Sequence, residues 1–493
     1  MEHALDAQFV AVNGRIARGE NPGITIKKHG KTQTWTLQTP KGRERPNHAL
    51  FETLPQVTLN AVLAYVEREC GFMSAFEHIL GRGHHHARDD RVLRACLIAW
   101  GTNLSLHRMG ESCDLPTGWL IRASENYLRL ETVQAATTII SNAIAALPLF
   151  RAYDLGGVIH STSDGQKFAT DHDTLKAQHS PKYYGLGKGV VSISLVASHI
   201  PLDARMVSAH DAESQWVFDL LYNNPTEIRP AIHSTDTHGT NHVNFALLKV
   251  FGVEFAPRYA DLRAKMATGL YGCQHPSQYG ADALFRPVRK LNLDLISREW
   301  DNLLRIFVSL ARKTTTQSVL VSKLSATKRR NRTLQALWEY DHLVASQYLL
   351  DYVDSETVRQ HVQRALNRGE QYHQLKRALT QGNAGKLRFS SDEEQELWDA
   401  CSRLLANAIL YYNIRMLSDA VALKEAHGDA DGAAFLKDVS PMAWHHINLH
   451  GHYAFGDEPD AVPLAHCVTT IVQYHPADPP TPPEVTPATG EPD

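Results

Sequence analysis

The stretch GGVIHSTSDGQKF, Gly156 to Phe168, is where the periodicity of this chain changes. Upstream, apolar residues recur every three or four positions. Here they alternate, β-branched residues dominate, and Asp164–Gly165 reads as a turn at the end of a strand. A second stretch, AIHSTDTHGTNHVNFALLKVFG (Ala231–Gly252), repeats the pattern with IHSTD in place of IHSTSD. It reads as a strand over Ile228–Thr235 ending at Asp236, then a helix from about Asn241. Between the two, KYYGLGKGVVSISLVASHI (Lys182–Ile200) suits one or two strands, and DAESQWVFDLLYN (Asp211–Asn223) suits an amphipathic helix. Val253–Ala256, closed by Pro257, suits a last short strand. The order β-β-β-α-β-α-β predicts a mixed α/β sheet.

Outward from this sheet the chain is helical. TLNAVLAYVEREC places Leu59, Val62, Leu63 and Val66 on one stripe, and DRVLRACLIAWGTNLSL and ETVQAATTIISNAIAAL continue the pattern. Residues 51–150 are therefore expected to form an all-helical subdomain. Residues 1–50 are polar, with one hairpin candidate in ITIKKHGKTQTWTLQTP (Ile24–Pro40). The loop Gly81–Asp90 carries His84, His85 and His86, which read as solvated. After the sheet the pattern is helical again to about 427, followed by a C-terminal helical segment over 428–474. The end, 475–493, is rich in Pro and Thr and is expected to be a disordered tail.

Composition narrows the class. Of 493 residues, 43% are hydrophobic and 21% charged, enough for a large core under a polar surface. No apolar run is long enough to span a bilayer, and the first residues lack the basic-then-apolar pattern of a signal peptide. Six cysteines without a CxxC pair suit a reducing, cytoplasmic setting and argue against a thiolate zinc site. The net charge of −3 does not advertise a nucleic-acid partner. Yet from Asn302 to Trp338 there is no acid at all, while Arg305, Arg312, Lys313, Lys323, Lys328, Arg329, Arg330 and Arg332 fall in that window. It is either a solvated helix face or a phosphate-contacting surface.

Functional side chains in α/β sheets gather at the carboxyl ends of strands. Asp164 and Asp236 meet that rule twice over, and on neighbouring strands their carboxylates would repel unless a cation lay between them. Two hard oxygen donors with room for water suit Mg²⁺. His238 and His242 offer a zinc alternative, but Gly239 stands where a zinc protease needs Glu and places His238 before the helix. A third acid by pattern is Glu370, in SETVRQHVQRALNRGEQYHQLKRAL (Ser355–Leu379), where Gly369 reads as a break and Glu370 as the start of a new helical segment. From spacing alone it also reads as a helix cap.

Longer motifs then resemble a family. STDTHGTNHVNFALLKVFGVEFAPRYADL (Ser234–Leu262) is similar to the signature segment of the Tn-three-type DDE transposases of bacterial unit transposons. So, in the same order along the chain, are QVTLNAVLAYVERECGF (from Gln56), SDGQKF (from Ser163), YYGLGKGV (from Tyr183), FDLLYNN (from Phe218), LNRGE (from Leu366), NAILYYN (from Asn407) and SPMAWHHINLHGHY (from Ser440). The resemblance covers roughly residues 50–460 and points to the C-terminal catalytic part of such an enzyme. It implies a ribonuclease-H-like core over 151–427 with a large helical insertion at about 263–354. It also implies a catalytic and metal-binding triad of Asp164, Asp236 and Glu370. Two Mg²⁺ ions, with Mn²⁺ as a substitute, would serve DNA cleavage at transposon ends and 3′-OH strand transfer into target DNA. Asp236 is expected to bridge the ions. The basic window, with Arg312, Lys313, Lys323, Lys328, Arg329, Arg330 and Arg332, becomes a DNA-contacting surface, and Lys167, Lys188 and His238 are further DNA contacts. DNA and a second copy of the chain are the expected partners, with no membrane. Members of the family are longer at the N-terminus, so a truncated, non-catalytic remnant that binds DNA or full-length transposase stays open as the alternative function.

Overall fold

The computed structural model describes residues 2–29, 32–38, 49–81, 88–280, 282–326, 331–456 and 461–474. The chain begins with helix α1 (Glu2–Ala17) and the hairpin β1 (Ile24–His29) and β2 (Thr32–Leu37). A short strand β3 (Val57–Thr58) leads into helices α2 (Leu59–Cys70), α3 (Asp90–Gly101), α4 (Leu106–Glu111), α5 (Thr117–Tyr127) and α6 (Leu130–Ala145). The sheet region follows: β4 (His160–Thr170), β5 (Gln178–His179), α7 (Pro181–Tyr184), β6 (Lys188–Ala197), β7 (Ile200–Ser208), α8 (Val217–Asn223), β8 (Ile232–Ser234), α9 (Asn244–Val250) and β9 (Glu254–Phe255). Then come α10 (Leu262–Gly269), the strand pair β10 (Tyr271–Gly272) and β11 (Arg289–Lys290), α11 (Leu293–Ala311), α12 (Gln317–Ala326) and α13 (Arg332–Asp354). The last elements are α14 (Glu356–Leu379), α15 (Asp392–Ala426), α16 (Ala430–Lys437), β12 (Ile447–Asn448) and α17 (Leu464–Gln473).

The chain folds as a mixed α+β protein. Its main sheet runs β5-β6-β4-β8-β9, with β7 pairing β6 beside β5. β6 runs antiparallel to both β4 and β7, whereas β4–β8 and β8–β9 are parallel. Apart from the two-residue β5 and the four-residue α7, which the pattern does not mark, the order of three strands, helix, strand, helix, strand follows the periodicity. The third strand, β7, lies just beyond the stretch Lys182–Ile200 expected to hold it. The hairpin also forms, Ile24 pairing with Leu37.

Helix α15 is the axis of the larger core. Its 35 residues open on a Ser391 cap bonded to Glu394 N–H, with Asp392, Glu393 and Glu394 in the positive first turn. Trp398, Leu404, Leu405, Ile409, Tyr412, Ile414 and Leu417 are all fully buried although they point to different sides. A helix apolar on every face must be interior. Residues of α2, α3, α6, β6 and β7 share one apolar cluster with α15.

A second cluster joins α1, α9, α11 and α13. Residues 1–50 read as polar with a hairpin, yet they open on a 16-residue helix. The reason is a stripe spaced four, three and four, Leu5, Phe9, Val12 and Ile16, all buried. Gln8 Nε2 donates to the Gln347 carbonyl at 3.0 Å, and Arg15 pairs with Asp354, which fixes α1 against α13. The loop histidines His84, His85 and His86 and the tail 475–493 lie outside the described residues. No helix among the described residues is long and apolar enough to cross a membrane, and the six cysteines are unbridged.

Candidate active site

Two parallel strands set the first half of the site. β4 and β8 pair His160 with Ile232, Ser161 with His233 and Thr162 with Ser234, an interval of 72 residues. The same interval separates Asp164 from Asp236, so the ladder delivers the two aspartates side by side just beyond its last rung. Side chains reinforce that register. His233 Nδ1 lies 2.9 Å from Ser161 Oγ and its Nε2 3.0 Å from Ser163 Oγ, while His160 Nε2 meets Ser234 Oγ at 2.8 Å. Each strand's histidine binds the other strand's serine, which is the physical content of the repeated IHST. Burial pushes both imidazoles down to about 3, so they act as neutral struts. A slip of one residue would turn every side chain to the opposite face.

Asp164 does not end its strand, and Gly165 makes no turn. Both lie inside β4, paired with Ser194 and Ile193 of β6. The glycine has another use. A Cβ at position 165 would stand 2.2 Å from Glu213 Oε1 and 2.8 Å from Val191 Cγ1. The absent side chain makes room for a carboxylate. Glu213 opens a 3₁₀ turn (Glu213–Gln215) before α8, where the sequence pattern suggested helix throughout. That turn is braced from outside the sheet by Gln317, which is fully buried. Its Oε1 accepts from Phe218 N–H at 2.9 Å, and its Nε2 donates to the Ser214 carbonyl at 3.2 Å and to Asn244 Oδ1. Asp236 in turn is fixed by the backbone it caps: its Oδ1 accepts from His238 N–H at 2.8 Å and from Gly239 N–H at 3.3 Å.

Helix α14 supplies the other half. Gly369 does not break it; the helix is continuous from Glu356 to Leu379, with Glu370 in its middle. A Cβ at Gly369 would stand 2.9 Å from Thr162 Cγ2, so the glycine marks a close crossing of helix over strand. Gln166 Nε2 donates to the His373 carbonyl at 2.9 Å. Further along, buried Lys376 reaches Ser192 Oγ at 2.7 Å and pairs with Asp399 of α15. These contacts present Glu370 and His373, one turn apart, to Asp164. His373 Nδ1 is 3.8 Å from Asp164 Oδ2 and 3.9 Å from Glu370 Oε2, and Glu370 Oε1 pairs with Arg377 at 3.0 Å.

Two ligand groups result, each with atoms within 4.8 Å of one another: Asp164, Glu213 and Asp236; and Asp164, Glu370 and His373. Asp164 belongs to both, a sharing that was expected of Asp236. Burial first, then the charges of Glu213 and Asp236, push the Asp164 carboxyl up to about 7. Its side chain keeps 40% of its surface open to water, so a cation can approach the two groups that share it. Burial also raises Glu213, with Asp236 adding to the rise and Lys167 opposing it. Burial and then the charges of Lys376 and Arg377 take His373 down to about 3, leaving a neutral imidazole. Crowded carboxylates that hold their protons too tightly are what a divalent cation relieves, and these donors fit one.

Glu213 and His373 were missed from the sequence. His373 had a legible signal, since i, i+3 spacing puts it on one helix face with Glu370; an acid before a helix offers none beyond a cap. The histidine pair His238 and His242 joins neither ligand group, both residues being exposed on either side of Asn241. Among the cations, exposed Lys167 stacks its Nζ 4.4 Å from the Tyr183 ring centroid, and Lys188 pairs with Asp173 at 2.6 Å. Arg312 and Lys313 stand exposed after α11, Lys313 Nζ lying 5.6 Å from the Tyr222 ring. Lys323 on α12 and Arg332 at the start of α13 are also exposed, while Lys328, Arg329 and Arg330 lie outside the described residues.

Residues 61–453 match a family model described as the Tn3 transposase DDE domain. Among curated proteins, the chain is 31% identical over 461 residues to the transposase for transposon Tn501 of Pseudomonas aeruginosa, covering 92% of this chain and 45% of that protein. It is 30% identical over 458 residues to the transposase for transposon Tn21 of Escherichia coli, with coverages of 91% and 45%. To the transposase for transposon gamma-delta of Escherichia coli K12 it is 28% identical over 463 residues, with coverages of 92% and 45%. The chain thus spans less than half the length of these relatives. With most of its sequence inside the matched domain, the chain belongs to the Tn3 transposase DDE-domain family.

Proposed function

We propose that this chain is the catalytic part of a DNA transposase, cutting strands at transposon ends and joining the freed 3′-hydroxyl to target DNA during replicative transposition. The observation that carries the reading is the sharing of Asp164 between two ligand groups, one completed from the sheet and one from α14. Asp164, Asp236 and Glu370 would hold Mg²⁺, or Mn²⁺ in its place. Bound there, such ions activate a water or 3′-hydroxyl and stabilise the leaving oxygen. The residues do the rest. The His–Ser register lock fixes the spacing of the aspartates, α14 sets Glu370 against them, and the buried imidazoles hold no charge that would compete. Lys167 and His238 lie close in sequence to Asp164 and Asp236, and with Lys188 on β6 they would meet phosphates. Arg312, Lys313, Lys323 and Arg332, on or beside α11–α13, would carry the duplex, with Lys328, Arg329 and Arg330 of the same basic window as further contacts. Three antiparallel strands followed by two parallel ones, joined through α8 and α9, support a ribonuclease-H-like core with a helical insertion. Two ends must be handled together, so a homodimer acting on DNA in the bacterial cytoplasm completes the proposal.

The test is Mg²⁺- or Mn²⁺-dependent nicking and strand transfer on pre-nicked transposon-end DNA, comparing the chain with Asp236→Ala. Activity present in the first and reduced about a hundred- to a thousandfold in the second is expected. DNA binding without activity in either would favour a non-catalytic remnant that modulates a full-length transposase.

A further inference from the structure

We propose that the two cation positions around Asp164 are chemically unequal: one built from oxygen alone, by Asp164, Glu213 and Asp236, the other from oxygen and nitrogen, by Asp164, Glu370 and His373. The inference deepens the phosphoryl-transfer reading and rests on it, adding two ligands beyond the three acids.

Geometry carries the nitrogen. His373 is 4% exposed, yet its Nδ1 faces two carboxylate oxygens at 3.8 and 3.9 Å. Those distances exceed a hydrogen bond. They fall between the separations of about 3.0 Å (cis) and about 4.2 Å (trans) for donors on an octahedral ion with bonds of about 2.1 Å, so a small side-chain adjustment brings the nitrogen and both oxygens onto one ion. The imidazole has little freedom to leave. Its backbone carbonyl is held by Gln166, and its helix is pressed onto β4 at Gly369 and anchored by Lys376. The oxygen-only group stands on a separate observation. Glu213 Oε1 occupies the space that any side chain at position 165 would fill, so β4 is shaped to receive that carboxylate. The brace from Gln317 to Ser214 keeps it there.

Unequal donors mean unequal ions. Carboxylate oxygens take Mg²⁺ and Mn²⁺ alike, whereas an imidazole shifts preference toward Mn²⁺ and later first-row metals. Mg²⁺ is therefore expected to displace Mn²⁺ from the oxygen-only position first and from the mixed position only at higher concentration.

The experiment is electron paramagnetic resonance of Mn²⁺ titrated into the full chain, with pulsed detection of nitrogen couplings. Bound Mn²⁺ showing an imidazole coupling is expected. The coupling should vanish in His373→Gln and persist in His238→Gln and Glu213→Gln, while Glu213→Gln weakens the uncoupled ion about tenfold or more. Should His373→Gln fail to fold, Glu370→Gln, on a side chain 55% exposed, must weaken the nitrogen-coupled ion by a similar factor. Bound Mn²⁺ with active nicking but no coupling, or a coupling that survives His373→Gln, overturns the unequal sites and leaves the phosphoryl-transfer reading standing. A chain that binds no Mn²⁺ overturns both.

Discussion

The two halves of the site are held by different forces. Asp164 and Asp236 reach each other through a backbone ladder, and His233 and His160 lock that ladder with side-chain bonds across it. Glu370 and His373 ride on a helix that touches the sheet through packing at Gly369 and the bond from Lys376 to Ser192, and touches α15 through the buried pair of Lys376 with Asp399. A ladder specifies position rung by rung and fails only by slipping a whole residue. A packed helix shifts continuously, so its ligands are displaced by fractions of an ångström. Strand ligands should therefore tolerate neighbouring substitutions until the register fails, and helix ligands should drift with small volume changes.

The largest effect is expected on the helix side. Lys376 is fully buried and Asp399 is 3% exposed. Replacing Lys376 by Met takes the ammonium from a buried carboxylate that then keeps only the Ser192 hydroxyl and the charge of Arg403, a loss of up to about 3–5 kcal/mol. Adding Asp399→Leu should recover much of it, because two apolar residues of similar volume need no pairing. Chemical denaturation of the three proteins checks this; equal stability of the single and double variants would mean that the pair does not hold α14. On the strand side, His233→Ala removes the partner of Ser163 Oγ and leaves Ser161 Oγ only the Ile232 carbonyl at 3.3 Å, at about 1–3 kcal/mol for a buried hydrogen-bonding group left without a partner. If the ladder alone sets the register, nicking per folded molecule should survive. A collapse of activity without unfolding would show that the histidine carries the register.

How much of this was readable depends on which force was at work. Backbone ladders write themselves into alternation, so β4, β6, β8 and β9 and their order along the chain were legible, Asp164 and Asp236 could be named as candidates, and the repeated IHST hinted at paired strands; β5 and most of β7 fell outside the stretches read as strand. Contacts between distant segments leave no such trace. Gly165 and Gly369 looked like a turn and a break because glycine permits both; each is a clearance for a group far away in sequence, Glu213 in one case and Thr162 in the other. Glu213 itself is an acid ahead of a helix, and only the fold points it at Asp164. The N-terminal helix was a different failure, since its stripe of Leu5, Phe9, Val12 and Ile16 was present but diluted by polar neighbours.

Gly369→Ala probes the packed crossing with a single methyl. Alanine is favoured over glycine in a helix interior by about 0.8–1.0 kcal/mol. Here the new Cβ meets Thr162 Cγ2, and overpacking of that kind costs about 1–3 kcal/mol. Net destabilisation of about 1 kcal/mol is expected, with a larger loss in nicking because Glu370 and His373 move with the helix. Thr162→Ser removes the obstructing methyl, so the double variant should regain activity relative to Gly369→Ala. Additive losses in the double variant would separate Gly369 from Thr162 and sink the crossing argument.

The smallest effect distinguishes the halves by sign. Without metal, Asp164 keeps its proton up to about pH 7 in the folded chain, while an unfolded aspartate releases it near 4. As pH rises through that window the unfolded state loses protons first, so the native state loses stability, fully so above 7. Asp164→Asn escapes this and should gain on the parent protein between pH 5 and 8. His373 runs the other way. Its folded value is near 3 against an ordinary value near 6.5, so the unfolded chain gains a proton first as pH falls, and His373→Gln should gain on the parent protein between pH 7 and 5. In chelator, each gain should appear as a rise of no more than about 2–4 °C in the melting temperature relative to the parent. Solvent access at Asp164 makes its share the lesser. Added Mg²⁺ should erase the Asp164→Asn advantage, since a bound cation stabilises the ionised carboxylate that the variant lacks. Melting curves that shift in parallel with pH for both variants would mean that neither half carries the electrostatic strain described here.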